Sequence, residues 1–390
     1  MSLAIATQNP DAVAETYVRQ HMRLVRPGQT VGIGLACAQP PAAAIPFHCV
    51  RLQGQPKRNR LGTVARFLRT GYRASLSRRE EAGLGAFLQA HGTTAVLAEF
   101  GTTGCALRVF CRQAGLPLFV NFHGHDATVL GRRRDMRFAY RMLAQSAQGF
   151  FCGSRHFAGV LEGIGIPGRK ITVIPCGIEV GEFSADSRKD PGLVIAVGRL
   201  TRKKRPDLAI RAFARARREH PSLRLEIIGD GPEKEACRAV IGELGLEAAV
   251  TMLGACSHDE VKARLAGAAV FIQHSVTADN GDQESQGISL LEAMASGAAV
   301  AVTDHNGFSE TVKQGETGFL SPERDVEAMA ASILRLAREP ALARKLGQAG
   351  RARVEEYFDA HRLARQLRHA IFGDEAPAAC PQPGQLEAGT

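Results

Sequence analysis

The sequence predicts an α/β protein built from two successive Rossmann-like domains. Apolar runs of strand length alternate with amphipathic helical patterns along most of the chain. A length of 390 residues suits two domains of roughly 150–200 residues each. The polar, turn-rich stretch SADSRKDPG at 184–192 interrupts the alternation, which then starts afresh. The expected division is therefore 1–184, 185–373 and a disordered tail at 374–390, whose DEAPAACPQPGQLEAGT offers little to bury.

In the first half, strands are expected at SLAIAT (2–7), TVGIGLA (30–36), AVLAEF (95–100), PLFVNF (117–122) and GFFCG (149–153). Helical spacing marks AVAETYVRQHMRL (12–24) and TGCALRVFCRQAG (103–115), and ITVIPCGIEVGEF (171–183) runs from a strand into a linker. The second half opens with the strand LVIAVGRL (193–200). A helix follows over 206–221, opened by Pro206 and stopped by Pro221. Then come a strand at 223–233 ending in a Gly-rich turn, a helix at 232–244, a strand at 249–253 and a helix at 257–266. A strand at 268–275, a helix entered at Ser285, a strand at 298–303 and a helical region over 325–372 complete the pattern.

Composition narrows the function classes. No run of about 18 apolar residues is present, so no transmembrane helix is expected. The start lacks a basic segment followed by a long apolar one and does not read as a secretory signal. Nine scattered cysteines with no CxxC pair read as free thiols of a reducing cytosol, not as a disulfide framework or zinc site. The net charge of +10 is uneven: residues 1–190 hold 24 basic and 12 acidic residues, the remainder 25 and 27. Two basic clusters stand out, 57–79 and 132–141. Either they are solvated faces, or they dock on anionic lipid headgroups or a phosphorylated acceptor. No nucleic-acid motif accompanies them, so nucleic acid is not an expected partner.

Ligands of open α/β sheets bind beyond the carboxyl ends of the strands. In VGRLTRKKRPD (197–207), Gly198 permits a tight turn, and Arg199, Lys203, Lys204 and Arg205 bring cations to a strand tip. Arg199 and Lys204 could converge there on a diphosphate. GDGPE (229–233) is a common turn signal whose Gly229 and Gly231 would also let backbone approach a ligand. In NGDQESQGISLLEAMASG (280–297), a helix N-terminus offers unpaired amides and a positive dipole end to an anion. Glu284 would sit ahead of this helix, with Glu292 about two turns inside on the same face. A carboxylate so placed suits a partner that donates hydroxyls, such as a ribose. By spacing alone, two glutamates on a wet helix face fit better. In NFHGHDATVL (121–130), His123 and His125 either contact substrate or are satisfied loop histidines. With Asp126 they form too local a cluster for a metal cage, and no metal is expected.

Taken in order, strand-Gly-Arg-Leu, Lys-Arg-Pro, GDGPE and Glu-x7-Glu before AMASG resemble the retaining nucleotide-sugar glycosyltransferases of the GT-B fold, the large family numbered four. AETYVRQHMRL (14–24) is similar to the early helix of bacterial members that build exopolysaccharide or lipopolysaccharide. The resemblance implies two Rossmann-like domains facing across a cleft. It implies that Gly198, Arg199 and Lys204 hold the donor diphosphate, that Glu292 binds ribose hydroxyls, and that Glu284 lies by the donor sugar. The amides of Gly287 and Ile288 would touch sugar or phosphate, and His123 would stand near the transferred sugar, followed by Asp126. Two departures are visible: TQNPDAVAET (7–16) replaces the usual Gly-Gly loop, and PCGIE (175–179) replaces Pro-Asn-Gly-Val-Asp.

The implied reaction moves a hexosyl unit from a UDP- or GDP-sugar to an acceptor hydroxyl of a glycan or lipid-linked precursor. It retains configuration and needs neither metal nor cofactor. The implied location is cytoplasmic, peripheral on the inner membrane face if the basic clusters dock there. Two rivals share the plan: a sugar-nucleotide 2-epimerase, which would consume donor without acceptor, and a non-catalytic subunit that binds nucleotide-sugar without turnover.

Overall fold

A computed structural model of the chain describes residues 1–8, 16–35, 37, 45–53, 67, 70–185 and 188–373. The expected tail at 374–390, residues 9–15 with the start of the helix expected at 12–24, and the basic residues at 57–66 lie outside these. The described residues fall into two compact units, one comprising Met1–Cys176 with the final helix Ala360–Phe372, the other Gly177–Asp359. The division comes before the expected 184/185 boundary. The reason is burial: Ile178, Val180 and Phe183 pack with Phe271, Leu290 and Val354 of the second unit. The Ile178 N–H also donates to the Phe358 carbonyl at 3.0 Å.

The first unit holds β1 (Ser2–Thr7), β2 (Thr30–Gly34), β3 (Phe47–Cys49), β4 (Thr93–Glu99), β5 (Leu118–Asn121), β6 (Gly149–Cys152) and β7 (Ile171–Val173). All pair in parallel, in the order β3-β2-β1-β4-β5-β6-β7. Along β1 the two-residue period sends Leu3 and Ile5 to one face and Ala4 and Ala6 to the other. Both faces are covered, which is why the strand reads as a continuous apolar run. On the first face Leu3 and Ile5 join Val18 and Met22 of the helix Thr16–Leu24 and Leu363 and Leu367 of the final helix.

The second unit holds β8 (Asp190–Val197), β9 (Arg224–Ile228), β10 (Val250–Gly254), β11 (Ala268–Gln273), β12 (Ala299–Thr303) and β13 (Phe319–Ser321). They too are parallel, in the order β10-β9-β8-β11-β12-β13. Helix starts follow local chemistry. Pro206 opens Pro206–Glu219, Ser257 and Glu260 form a capping box on His258–Gly267, and Asp325 accepts from the Ala328 N–H before Val326–Arg338. The short edge strands β3 and β13 carry no clear alternation and were not anticipated from the sequence.

In both sheets the strand order reverses once, between β1 and β4 and between β8 and β11. Such a switch point opens a crevice at the carboxyl ends of the two strands and is where open α/β sheets take ligands.

Candidate active site

At the switch point of the second sheet, the tips of three adjacent strands are tied together by backbone. The Gly198 N–H donates to the Ile228 carbonyl at 2.9 Å, and the Gly229 N–H donates to Gly254 at 2.7 Å. The Leu200 N–H donates to Asp230 at 3.0 Å. A Cβ on Gly229 would collide with the Gly198 carbonyl, and one on Gly231 with the Leu200 carbonyl. The glycines of GDGPE thus have a structural role, letting one loop lie directly on another.

Of the five cations of the following loop, three are committed elsewhere, Arg202 to Glu233 at 3.6 Å. Arg205, left-handed at φ 36°, makes a two-pronged contact with Asp207 at 2.8 and 2.7 Å. Lys203 donates to the Gln283 carbonyl at 3.1 Å. Arg199 is exposed and forms no ion pair among the described residues. Lys204 folds back over Gly198, where an added Cβ would lie 2.7 Å from its ammonium, and reaches Glu284 Oε2 at 3.3 Å. Beneath the loop is a cavity of about 30 Å³ lined by Gly198, Arg199, Lys204 and His274 among others. His274 is fully buried, its Nε2 makes no hydrogen bond among the described residues, and burial with the nearby Arg205 holds its pKa down to about 4.

The helix expected from Ser285 begins later, at Ile288, and runs to Ala295. Gly287 is its N-cap at φ 79°, a conformation that suits glycine, and a Cβ there would press 2.8 Å from Phe308. Ser285 and Gln286 are therefore loop, Glu284 is not on the helix face, and Glu292 lies one turn inside, not two. No side chain caps this helix, so its first amides keep the unpaired character expected of a helix start.

The two glutamates have opposite electrostatics. Burial would raise the pKa of Glu284, but Lys204, Lys203 and His305 hold it down at about 2. Glu292 is 8% exposed, and its closest basic partner is the His258 ring at 4.0 Å. Burial pushes it up to about 7, with Lys204 and Lys262 opposing.

Sequence reasoning missed the residues that fix Glu284. His305, fully buried after β12, accepts from the Glu284 N–H at 3.1 Å through Nε2 and meets Glu323 Oε1 at 2.5 Å through Nδ1. The Asn306 side chain donates to the Glu284 carbonyl at 2.8 Å, and Glu323 Oε2 accepts from the Thr277 N–H at 3.0 Å. Position after a strand was the signal that could have found His305, as it found Arg199.

In the first unit, His123 follows β5. Its Nε2 lies 2.6 Å from Glu99 Oε2, and His21 Nδ1 lies 2.7 Å from Glu99 Oε1. Glu99 ends β4 and is wholly buried; neither it nor His21 was singled out from sequence. Asp126 caps backbone: Oδ2 accepts from Gly101 at 2.9 Å, and Oδ1 from His123 at 3.2 Å and Gly124 at 3.1 Å. No group of three or more His, Cys, Asp or Glu side chains is arranged to hold a metal among the described residues.

Two family profiles divide the chain between them. The one described as Glycosyltransferase Family 4 matches residues 36–182, and Glycosyl transferases group 1 matches 179–353. The putative colanic acid biosynthesis glycosyltransferase WcaL of Salmonella typhimurium is 33% identical over 279 residues, 70% of this chain and 68% of its own length. The chain belongs to the GT-B glycosyltransferases of this group. This glycosyltransferase also resembles AmsK, the amylovoran biosynthesis glycosyltransferase of Erwinia amylovora, at 32% identity over 64% of this chain and 62% of AmsK. The alignment thus spans just under two thirds of AmsK. Among solved structures, Anabaena HepE in complex with UDP superposes with a TM-score of 0.74 at 18% identity, covering 94% of this glycosyltransferase and 98% of HepE. At that identity the likeness speaks for the fold, and the fold agrees with the two parallel-sheet units described above.

Proposed function

We propose that this glycosyltransferase moves a hexosyl unit from a nucleotide diphosphate sugar to an acceptor hydroxyl of a glycan or lipid-linked precursor, with retained configuration and without metal. The observation that carries the donor reading is the contact of Lys204 with Glu284 at the switch point of the second sheet: the cation shares a cavity lining with the exposed Arg199, and the glutamate lies three residues before an uncapped helix N-cap. In this reading Arg199, Lys204 and the amides of Gly287 and Ile288 take the diphosphate, with Gly198 leaving room. Glu292 accepts from the ribose hydroxyls, and Glu284 faces the donor sugar. Gly229 and Gly231 serve by shaping the loop. The colanic acid and amylovoran biosynthesis names of WcaL and AmsK support a surface-glycan acceptor, and the nucleotide is left as UDP or GDP.

In the transfer, the bond from the anomeric carbon to the diphosphate oxygen breaks and a bond to the acceptor oxygen forms on the same face. The acceptor proton passes to the departing phosphate. The fixed cations and amides stabilise the negative charge that grows on the leaving group. Because Glu284 is held ionised by Lys204, it also offers a negative charge to the oxocarbenium-like sugar. A thermal-shift panel of UDP-, GDP- and ADP-sugars tests this. Preferential stabilisation by one nucleotide is expected, and stabilisation by none would remove the donor reading. Donor consumption without acceptor would instead favour the epimerase.

The acceptor side is proposed to lie at a membrane surface. On the helix Arg134–Ser146, Arg134, Arg137 and Arg141 are exposed around Phe138, which is itself 46% exposed. An aromatic framed by arginines suits an anionic headgroup layer. No helix among the described residues is long and apolar enough to cross a membrane.

A further inference from the structure

The switch point of the first sheet holds a cluster that the donor site does not use. Glu99, the last residue of β4, is 0% exposed and has both carboxylate oxygens engaged by histidines, at 2.7 Å by His21 and at 2.6 Å by His123. A buried carboxylate without compensating charge is costly, so this arrangement calls for at least one cationic ring. The scaffold restrains His123 in particular. Its ring packs against Tyr17 with centroids 4.3 Å apart and against Phe100 at 4.8 Å. Phe100 itself is held at φ 76°, a conformation rare for a bulky residue and often associated with functional corners. Asp126 pins the backbone of His123 and Gly124 to that of Gly101.

We propose that Glu99 is a positioning residue for His123: its buried carboxylate, steadied by His21 on the other oxygen, fixes the His123 ring as a hydrogen-bonded imidazolium. His123 then serves as a standing positive charge and not as a carrier of protons. This rests on the assignment of His123 to the substrate side of the transfer reaction.

The groups facing the His123 ring come from three directions. Tyr17 is on the helix Thr16–Leu24, whose His21 reaches the shared carboxylate; Glu99 is at the tip of β4; and the Cys176 side chain, after β7, hydrogen-bonds the ring. The electrostatics agree with the geometry. Burial alone would discharge the ring, but Cys176 and Glu99 raise its pKa to about 10. Burial would likewise raise Glu99, yet the two histidines bring it down to about 2.

The test is a ring titration of the full chain labelled with 13C-histidine, with the His123 signal assigned by its loss in His123→Gln. In the wild-type chain the His123 ring should not titrate between pH 5 and 9. In Glu99→Gln, which keeps a hydrogen-bonding shape but removes the charge, its midpoint should drop into or below the ordinary histidine range near 6.5. His21→Gln, which leaves the Glu99–His123 contact in place, should keep the ring charged. A wild-type His123 that titrates near 6.5 overturns the proposal, as does an unchanged titration in Glu99→Gln. If Glu99→Gln does not fold, the wild-type and His21→Gln titrations decide. Sugar turnover supplies a readout that a merely structural role would not move. In Glu99→Gln, kcat should fall about tenfold per pH unit above the new midpoint, while the wild type stays level across that window. A Glu99→Gln profile parallel to wild type would overturn the role in transfer. Failure of the transferase reading is seen separately, as the absence of stabilisation by any nucleotide-sugar, and leaves the titration result standing.

Discussion

The ammonium of Lys204 lies 3.3 Å from Glu284 Oε2, although the two residues are eighty positions apart in the chain. The pair joins the tip of β8 to the loop that follows β11, the two strands between which the second sheet changes direction. One cation thereby does two things: it keeps a half-buried carboxylate ionised and stands where a leaving diphosphate is proposed to lie.

Lys204→Ala should therefore lower sugar transfer by roughly 10²–10³-fold, the loss expected for one donor to a developing anion, about 3–4 kcal/mol in the barrier. Steady-state kinetics at saturating donor measure it; activity within twofold of wild type would remove Lys204 from the leaving-group site. The acid side offers a second readout. Glu284 titrates near 2 in the folded chain against 4.5 when unfolded, so its stabilisation is present above 4.5 and fades as pH falls through about 2. Lys204→Ala should weaken that stabilisation, so urea midpoints of variant and wild type should differ more at pH 7 than at pH 3.

Glu292 should show the opposite sign. Its folded value near 7 lies above the 4.5 of the unfolded chain, so the folded state binds the extra proton between these limits and its stability declines as pH rises through them. Glu292→Gln should remove this slope, a gain on the order of 3 kcal/mol at pH 8 relative to pH 4. Nucleotide-sugar binding should tighten as pH rises through about 7, because hydroxyl donors favour the carboxylate, and calorimetry in two buffers should detect a released proton. Binding that is flat with pH and indifferent to Glu292→Gln would place the ribose elsewhere.

His305→Ala should leave the Glu284 N–H without its acceptor and Glu323 without its ring partner. A loss of roughly 1–3 kcal/mol in stability is expected, together with weaker nucleotide-sugar binding. The more telling comparison is Glu323→Gln, which keeps a hydrogen-bond acceptor for His305 and should recover most of the binding. If both variants bind donor like wild type, the network holds the loop without serving the site.

For the membrane surface, co-sedimentation with vesicles containing anionic lipid should fall with salt, as expected for screened surface charge. Replacing Arg134, Arg137 and Arg141 by Glu should abolish it, and Phe138→Ser should weaken it. Absence of binding to anionic vesicles at low salt would leave this helix a solvated face.

Much of the architecture was legible because local rules carry it. SLAIAT, PLFVNF and AAVAVT are apolar on both sides and have strand length, and the matching strands are buried on both faces. Pro206 and Ser257 announce helix starts through backbone chemistry that acts within a few residues. The rule that ligands lie beyond strand tips makes Arg199, Lys204, Glu284 and His123 legible as site candidates in the sequence. Tertiary structure decided what distance in sequence conceals. The Glu284–Lys204 pair, the support of Glu284 by His305 and Glu323, and the sharing of Glu99 by His21 and His123 join segments 18 to 80 residues apart. So did the late start of the helix at Ile288, since Gly287 is bent against Phe308, and the loop-on-loop contact that explains Gly229. Periodicity reports which face of an element is dry, whereas the charge state of a buried group depends on neighbours that only the folded chain brings within hydrogen-bonding distance.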